Sequence, residues 1–167
     1  MMVQHLTTGE ERRLAVQHWL SSASPDPAQT LRQWVESSVA VLSCGTLFAA
    51  VRIPAAVVHA AAQSTDEAVS DAYLAGALVN GPVIHDRSAR WYYALVPAGT
   101  ARRRWDVPDT VCLGVGSSLG VPRPGLCGAD GERVYWAVPM ESAACLCVPY
   151  AVSQFVMLGR YRQVGRG

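Results

Sequence analysis

From residue 82 onward the chain breaks into short apolar runs, "PVIHD", "RWYYALVP", "VCLGVG", "SLGVP" and "RVYWAVP", with glycine and proline between them. Runs of this length and punctuation read as strands joined by tight connections. Helical patterns lie in separate blocks before and after, with no regular βαβ alternation. The pattern therefore predicts an α+β protein, mainly an antiparallel sheet with flanking helices.

The first block supplies two helices. Residues 9–22 carry Leu14, Val16, Trp19 and Leu20 against Glu10, Glu11, Arg12 and Arg13, an amphipathic pattern. The prolines of "SASPDPAQ" stop it, and a further short helix is expected over residues 30–35. "SSVAVLSCGTLFAAVRIP" reads as two strands bent at Cys44-Gly45 into a tight hairpin. A helix then opens at Pro54. A stronger one follows in "STDEAVSDAYLAGALVNG", capped by Ser64 or Thr65 and ended by Asn80-Gly81. A last helix of about ten residues lies within "CVPYAVSQFVMLGR". The expected division is a helical appendage over 1–36, a single α+β domain over 37–160 and a flexible tail over 161–167.

Composition narrows the chemistry. Half of the 167 residues are apolar and 16% are charged, which suits one globular domain with a real core. A net charge of +1 argues against nonspecific duplex binding, which draws on a larger basic excess. All 14 basic residues are arginine, which reads as the coding bias expected of a GC-rich bacterial genome. Without lysine there is neither a Schiff-base former nor a P-loop ligand, so a bound phosphate falls to arginine forks or backbone amides. No signal-like or membrane-spanning stretch is evident, and the five cysteines read as reduced, partly buried thiols of a cytoplasmic protein.

The usual catalytic signatures are missing. Cys145-x-Cys147 has a poor gap for zinc, and Cys112 and Cys127 stand alone. "GVGSSLG" is a turn between strands, neither a nucleophile elbow nor a dinucleotide fingerprint. His5, His18, His59 and His85 have no companions in sequence and read as surface or turn histidines; His85 and Asp86 point to opposite strand faces. Asp130-Gly131-Glu132 reads as a hairpin tip. No catalytic residue, metal ligand or cofactor is assigned.

Residues from about Gly81 to Pro139 resemble the later half of the bifunctional DNA primase/polymerase N-terminal (prim-pol) domain, of the archaeo-eukaryotic primase class. "SARWYYALVPAGT" occupies the place of that family's serine-glycine-glycine-x-histidine run and aromatic strand. "CLGVGSSLGVPRPG" and "VYWAVP" take the places of the two strands that follow. The resemblance implies a prim-pol-like fold and a role connected with DNA replication. In the family a D-x-D or D-x-E motif binds metals and the histidine contacts the incoming nucleotide. Here Trp91 stands at the histidine's place, Ala89 and Arg90 replace the residues before it, and "CGTLFAAVRIPAA" contains no acid. The expectation is a small stand-alone primase/polymerase-like domain without catalysis, binding nucleotide or single-stranded nucleic acid weakly. Ser88, Arg90, Trp91, Arg102, Arg103 and Arg104 are its candidate contacts. The alternatives are a regulatory or scaffolding protein acting through a protein partner and, third, an active enzyme whose acids, such as Asp86, Asp106 and Asp109, converge only in space.

Overall fold

A computed structural model describes residues 8–165; the first seven residues of the expected appendage and the last two of the expected tail lie outside the described residues. The elements run α1 (Gly9–Ser21), α2 (Pro27–Ser37), β1 (Val39–Ser43), β2 (Phe48–Pro54), α3 (Ala55–Ala62) and α4 (Glu67–Ala77). Then come β3 (Val83–Asp86), β4 (Trp91–Pro97), β5 (Val111–Leu113), β6 (Ser118–Pro122), β7 (Val134–Val138) and α5 (Pro149–Val164). The protein is α+β. A five-stranded antiparallel sheet has the order β5-β2-β4-β3-β7, and a separate two-stranded ribbon pairs β1 with β6.

Strand alternation sorts the large sheet into two cores. Along β2, Ala49, Val51 and Ile53 face α3, α4 and α5 with Tyr92, Ala94 and Val96 of β4. Phe48, Ala50 and Leu95 face the other way, onto β1, β6, α1 and α2. A strand buried on both faces needs an uninterrupted apolar run, which "FAAV" supplies. Val16, Leu20 and Trp34 are buried in this second core, so the first two helices complete it. The Trp34 indole donates to the Val121 carbonyl at 2.9 Å, tying α2 to the ribbon.

Several local expectations need correction. β1 and β2 do not form a hairpin. The β1 ladder is taken by β6, from Val39↔Pro122 to Ser43↔Ser118, while β2 lies between β4 and β5. Gly45, at φ +97°, turns the chain from ribbon to sheet, and its missing Cβ leaves room for the Val115 backbone. "GVGSSLG" likewise crosses between sheets, because β5 and β6 pair with different partners. Asp130-Gly131-Glu132 is exposed but joins β6 to β7, which pair with different strands. The cap of α4 is Asp66, whose carboxylate accepts from the Val69 amide at 3.0 Å, not Ser64 or Thr65. α5 is 16 residues long and runs through Val164, so residues 161–164 are helix and not a loose tail.

Among the described residues no helix is long and apolar enough to cross a membrane. The cysteines are free thiols, with Cys44 and Cys147 buried and Cys127 exposed.

Candidate functional site

The β3–β4 hairpin carries the aromatic run into the middle of the sheet and places its turn, residues 87–90, beside the start of α3. Asp86 organises that turn: its Oδ1 accepts from the Ala89 amide at 3.1 Å, and its carbonyl from the Arg90 amide at 3.0 Å. Arg90 closes the turn with φ +61°, a left-handed conformation that costs a residue with a Cβ about 1 kcal/mol. The Arg90 carbonyl then accepts from the Ala55 amide, the first residue of α3.

This junction walls a cleft of about 650 Å³, lined by Pro54, Ala55, Ala56, His59, Thr65, Glu67, His85, Arg87, Ala89, Arg90 and Trp91. The volume lies in the range of small-molecule sites. Trp91 is half-buried, and the Arg52 guanidinium lies 4.5 Å over its ring. As strand alternation requires, Trp91 and Tyr93 leave one face of β4 and the fully buried Tyr92 the other.

Behind the cleft lies a polar network that no sequence motif announced. His85 is 5% exposed, so its reading as a surface or turn histidine is overturned. The β3–β4 register sets it opposite Tyr92, and the two rings stack at 3.9 Å and 4°. Tyr135 of β7 donates its hydroxyl proton to Asp71 Oδ2 at 2.7 Å and stands 3.0 Å from His85 Nδ1. Arg87 grips Glu67 through two nitrogens, donates to the carbonyls of Gly128 and Glu132, and lies over the Tyr135 ring at 4.2 Å.

Burial drives His85 down to about 4, against the pull of Glu67. It lowers His59 as well, again against Glu67. Burial also raises Asp71 to about 6, with the Tyr135 hydrogen bond opposing, and Tyr135 itself rises through burial and the Asp71 carboxylate. The Arg87 hydrogen bond holds Glu67 below the usual carboxylate range. At neutral pH Asp71 is ionised and accepts the Tyr135 proton. The hydroxyl oxygen must then accept from His85 Nδ1–H, which leaves Nε2 unprotonated. The cleft wall presents no serine or cysteine nucleophile.

The six residues named from sequence fall into two places. Arg90 and Trp91 line the cleft, and Ser88 is exposed on the turn beside them. Arg102, Arg103 and Arg104 lie beyond the far end of β4, about 20 Å along the strand from Trp91. They do not form one patch with the cleft. Arg102 borders a hollow beside Gly114, Arg103 another beside Pro149, and Arg104 pairs with Asp106 at 2.8 Å.

The acids with a chance of meeting in space are each taken by an arginine. Asp86 pairs with Arg133 at 3.3 Å, and Asp109 with Arg160 at 2.9 Å. Among the described residues no group of three or more His, Cys, Asp or Glu side chains is placed to hold a metal ion. No protein-family model, curated protein or solved structure matches this chain.

Proposed function

We propose that this protein is a non-catalytic domain of the primase/polymerase type that binds a nucleotide or single-stranded nucleic acid weakly in the Arg90–Trp91 cleft. One observation carries the reading: an indole and an exposed guanidinium sit side by side on a concave wall sized for a base and its sugar. An indole platform stacks any base, and a guanidinium beside it binds phosphate. Catalysis by paired divalent ions needs clustered carboxylates, and the cleft's one acid, Glu67, is held by Arg87.

Fluorescence anisotropy with a labelled oligothymidylate at low salt tests this. Trp91→Ala is expected to weaken binding about tenfold or more, the loss of one stacked base. Equal affinity in that variant sinks the reading. The triple Arg102→Ala, Arg103→Ala, Arg104→Ala variant is expected to bind a mononucleotide normally, since its arginines lie a strand length away. It should weaken only oligomers long enough to span β4.

Arg90 separates ligand binding from folding. Arg90→Gly removes the guanidinium and relieves the left-handed backbone, which offsets the added freedom of the unfolded chain. Its melting temperature is expected to stay within about 2 °C of the parent while affinity falls as in Arg90→Ala. A large loss of stability in Arg90→Gly would show that the side chain holds the turn together.

A second reading, a regulatory or scaffolding module acting through a protein partner, has one observation in its favour. The outer side of α5 exposes Tyr150, Met157, Tyr161 and Val164 at helical spacing. The alanine-rich α3 presents no comparable face, because Val57, Val58, Ala60 and Ala61 are buried. A pull-down that recovers one stable partner with the parent but not with Met157→Glu/Tyr161→Glu would favour it.

A further inference from the structure

We propose that a second cleft, between the five-stranded sheet and the β1–β6 ribbon, is a binding site for an oxyanion, a phosphate or carboxylate group held by Arg52. Arg52 lies within β2, with Tyr93 of β4 as its register partner on one side and Val111 of β5 on the other. Its side chain therefore rises from the interior of the sheet, on the same face as Tyr93 and Trp91. The guanidinium rests over the Trp91 ring at 4.5 Å, which orients it without neutralising it. Its Nε is buried and has no acceptor. None of the ion pairs among the described residues includes it. A guanidinium stays charged at every accessible pH, and a partly buried charge without a counter-charge is costly. That is the state of a group built to meet an anion.

The surroundings supply the remaining donors. The cleft holds about 690 Å³, and its walls include Tyr93, Ser117 and Ser118, whose hydroxyls make no hydrogen bond to the described residues. Of the other charges on its walls, Arg133 and Asp86 neutralise one another at 3.3 Å, while Glu132 stands exposed. Arg52 is thus the one cation left to compensate a ligand, and Glu132 disfavours a highly charged one. A compact oxyanion group fits this balance better than a polyphosphate. Trp91 supports Arg52 here and also lines the other cleft, but none of this site's hydrogen-bond donors does, so the site stands whether or not the Arg90–Trp91 cleft takes a nucleotide.

The test titrates the whole chain with inorganic phosphate and, separately, with acetate, at an ionic strength held constant with chloride. The buried Nε–H of Arg52 gives its own nitrogen-15 resonance. It is expected to shift saturably and to exchange more slowly with solvent as the anion binds. Phosphate stronger than acetate assigns the site to phosphate groups, and the reverse to carboxylates. Arg52→Met keeps a long apolar side chain on β2 while removing the charge, and is expected to weaken the preferred anion about tenfold or more. A paired Ser117→Ala/Ser118→Ala change is expected to weaken it a few-fold. Arg90→Ala leaves this titration unchanged, which keeps the two clefts apart. No saturable shift with either anion, or an undiminished affinity in a folded Arg52→Met protein, overturns the proposal. Should Arg52→Met fail to fold, the parent's own Arg52 resonance decides.

Discussion

An Asp71→Asn variant is expected to lose about 3 kcal/mol of folding stability between pH 6.5 and pH 4, while the parent changes by only about 1 kcal/mol. The reason is a pair of opposed titrations in the buried network. His85 protonates near 6.5 unfolded but only near 4 folded, so the unfolded state binds the extra proton between these values. That stability is lost as pH falls through the interval. Asp71 runs the other way. Its folded carboxyl takes up a proton near 6 and its unfolded one near 3.8, so acid favours the folded state, and the gain is lost as pH rises through about 6.

These two slopes nearly cancel in the parent, whose remaining small loss on acidification comes chiefly from His59, which burial also lowers, and removing either partner exposes the other. Asp71→Asn leaves the His85 slope. His85→Gln leaves the Asp71 slope, with stability rising by about 2–3 kcal/mol on acidification. Glu67 and Asp86 act mainly below this interval. An Arg87 hydrogen bond lowers Glu67; for Asp86, burial is outweighed by the Ala89 amide and Arg133. Urea unfolding at a series of pH values reads all three proteins. An Asp71→Asn protein whose stability follows the parent's across the interval would remove the Asp71–Tyr135–His85 chain from the account.

Gly159→Ala is expected to destabilise by about 3 kcal/mol, although alanine is the better helix former by about 1 kcal/mol. α5 crosses α3 at this glycine. A Cβ there would stand 2.4 Å from the Val57 carbonyl oxygen and 2.7 Å from Val57 Cγ1. A backbone carbonyl cannot rotate away as a flexible side chain does. The helices must part, and Val152, Phe155 and Val156 lose contact with the core they share with α3. For a chain of this size the melting temperature is expected to fall by roughly 10 °C.

Gly76→Ala provides the opposite sign. Gly76 lies within α4, is exposed, and a Cβ there would meet nothing within 4 Å. Propensity acts alone at that position, so the change is expected to stabilise by about 1 kcal/mol. Both variants placed in one thermal melt series separate helix propensity from close helix contact. A neutral Gly159→Ala would mean that α3 and α5 do not cross as closely as described.

The same contrast divides what was legible in the sequence from what was not. Properties carried by neighbours in the chain could be read directly. The alternation in "RWYYALVP" placed Tyr92 opposite Trp91 and Tyr93, and the five short runs after residue 82 are the five strands β3 to β7. Their segregation from the helices implied α+β, because a strand's face depends on residues two positions apart; the cap of α4, read at Ser64 or Thr65 and found at Asp66, was legible only to within a residue or two. Arg90 and Trp91 also line one cleft as chain neighbours, the end of the turn and the first residue of β4.

Pairing over long separations was not legible. Nothing local distinguishes a β1 that folds back on β2 from one that waits for β6, since either partner satisfies the same backbone groups. His85 looked solitary because its companions, Glu67, Asp71, Tyr92 and Tyr135, come from three other elements. Arg102–Arg104 looked close to Trp91 because about ten residues is a short step in sequence, yet an extended strand makes it a long one in space. Composition and periodicity determined which faces of this protein are apolar. Only the tertiary structure decided which polar groups those faces enclose, because burial and register bring them together and neither is a property of any short segment.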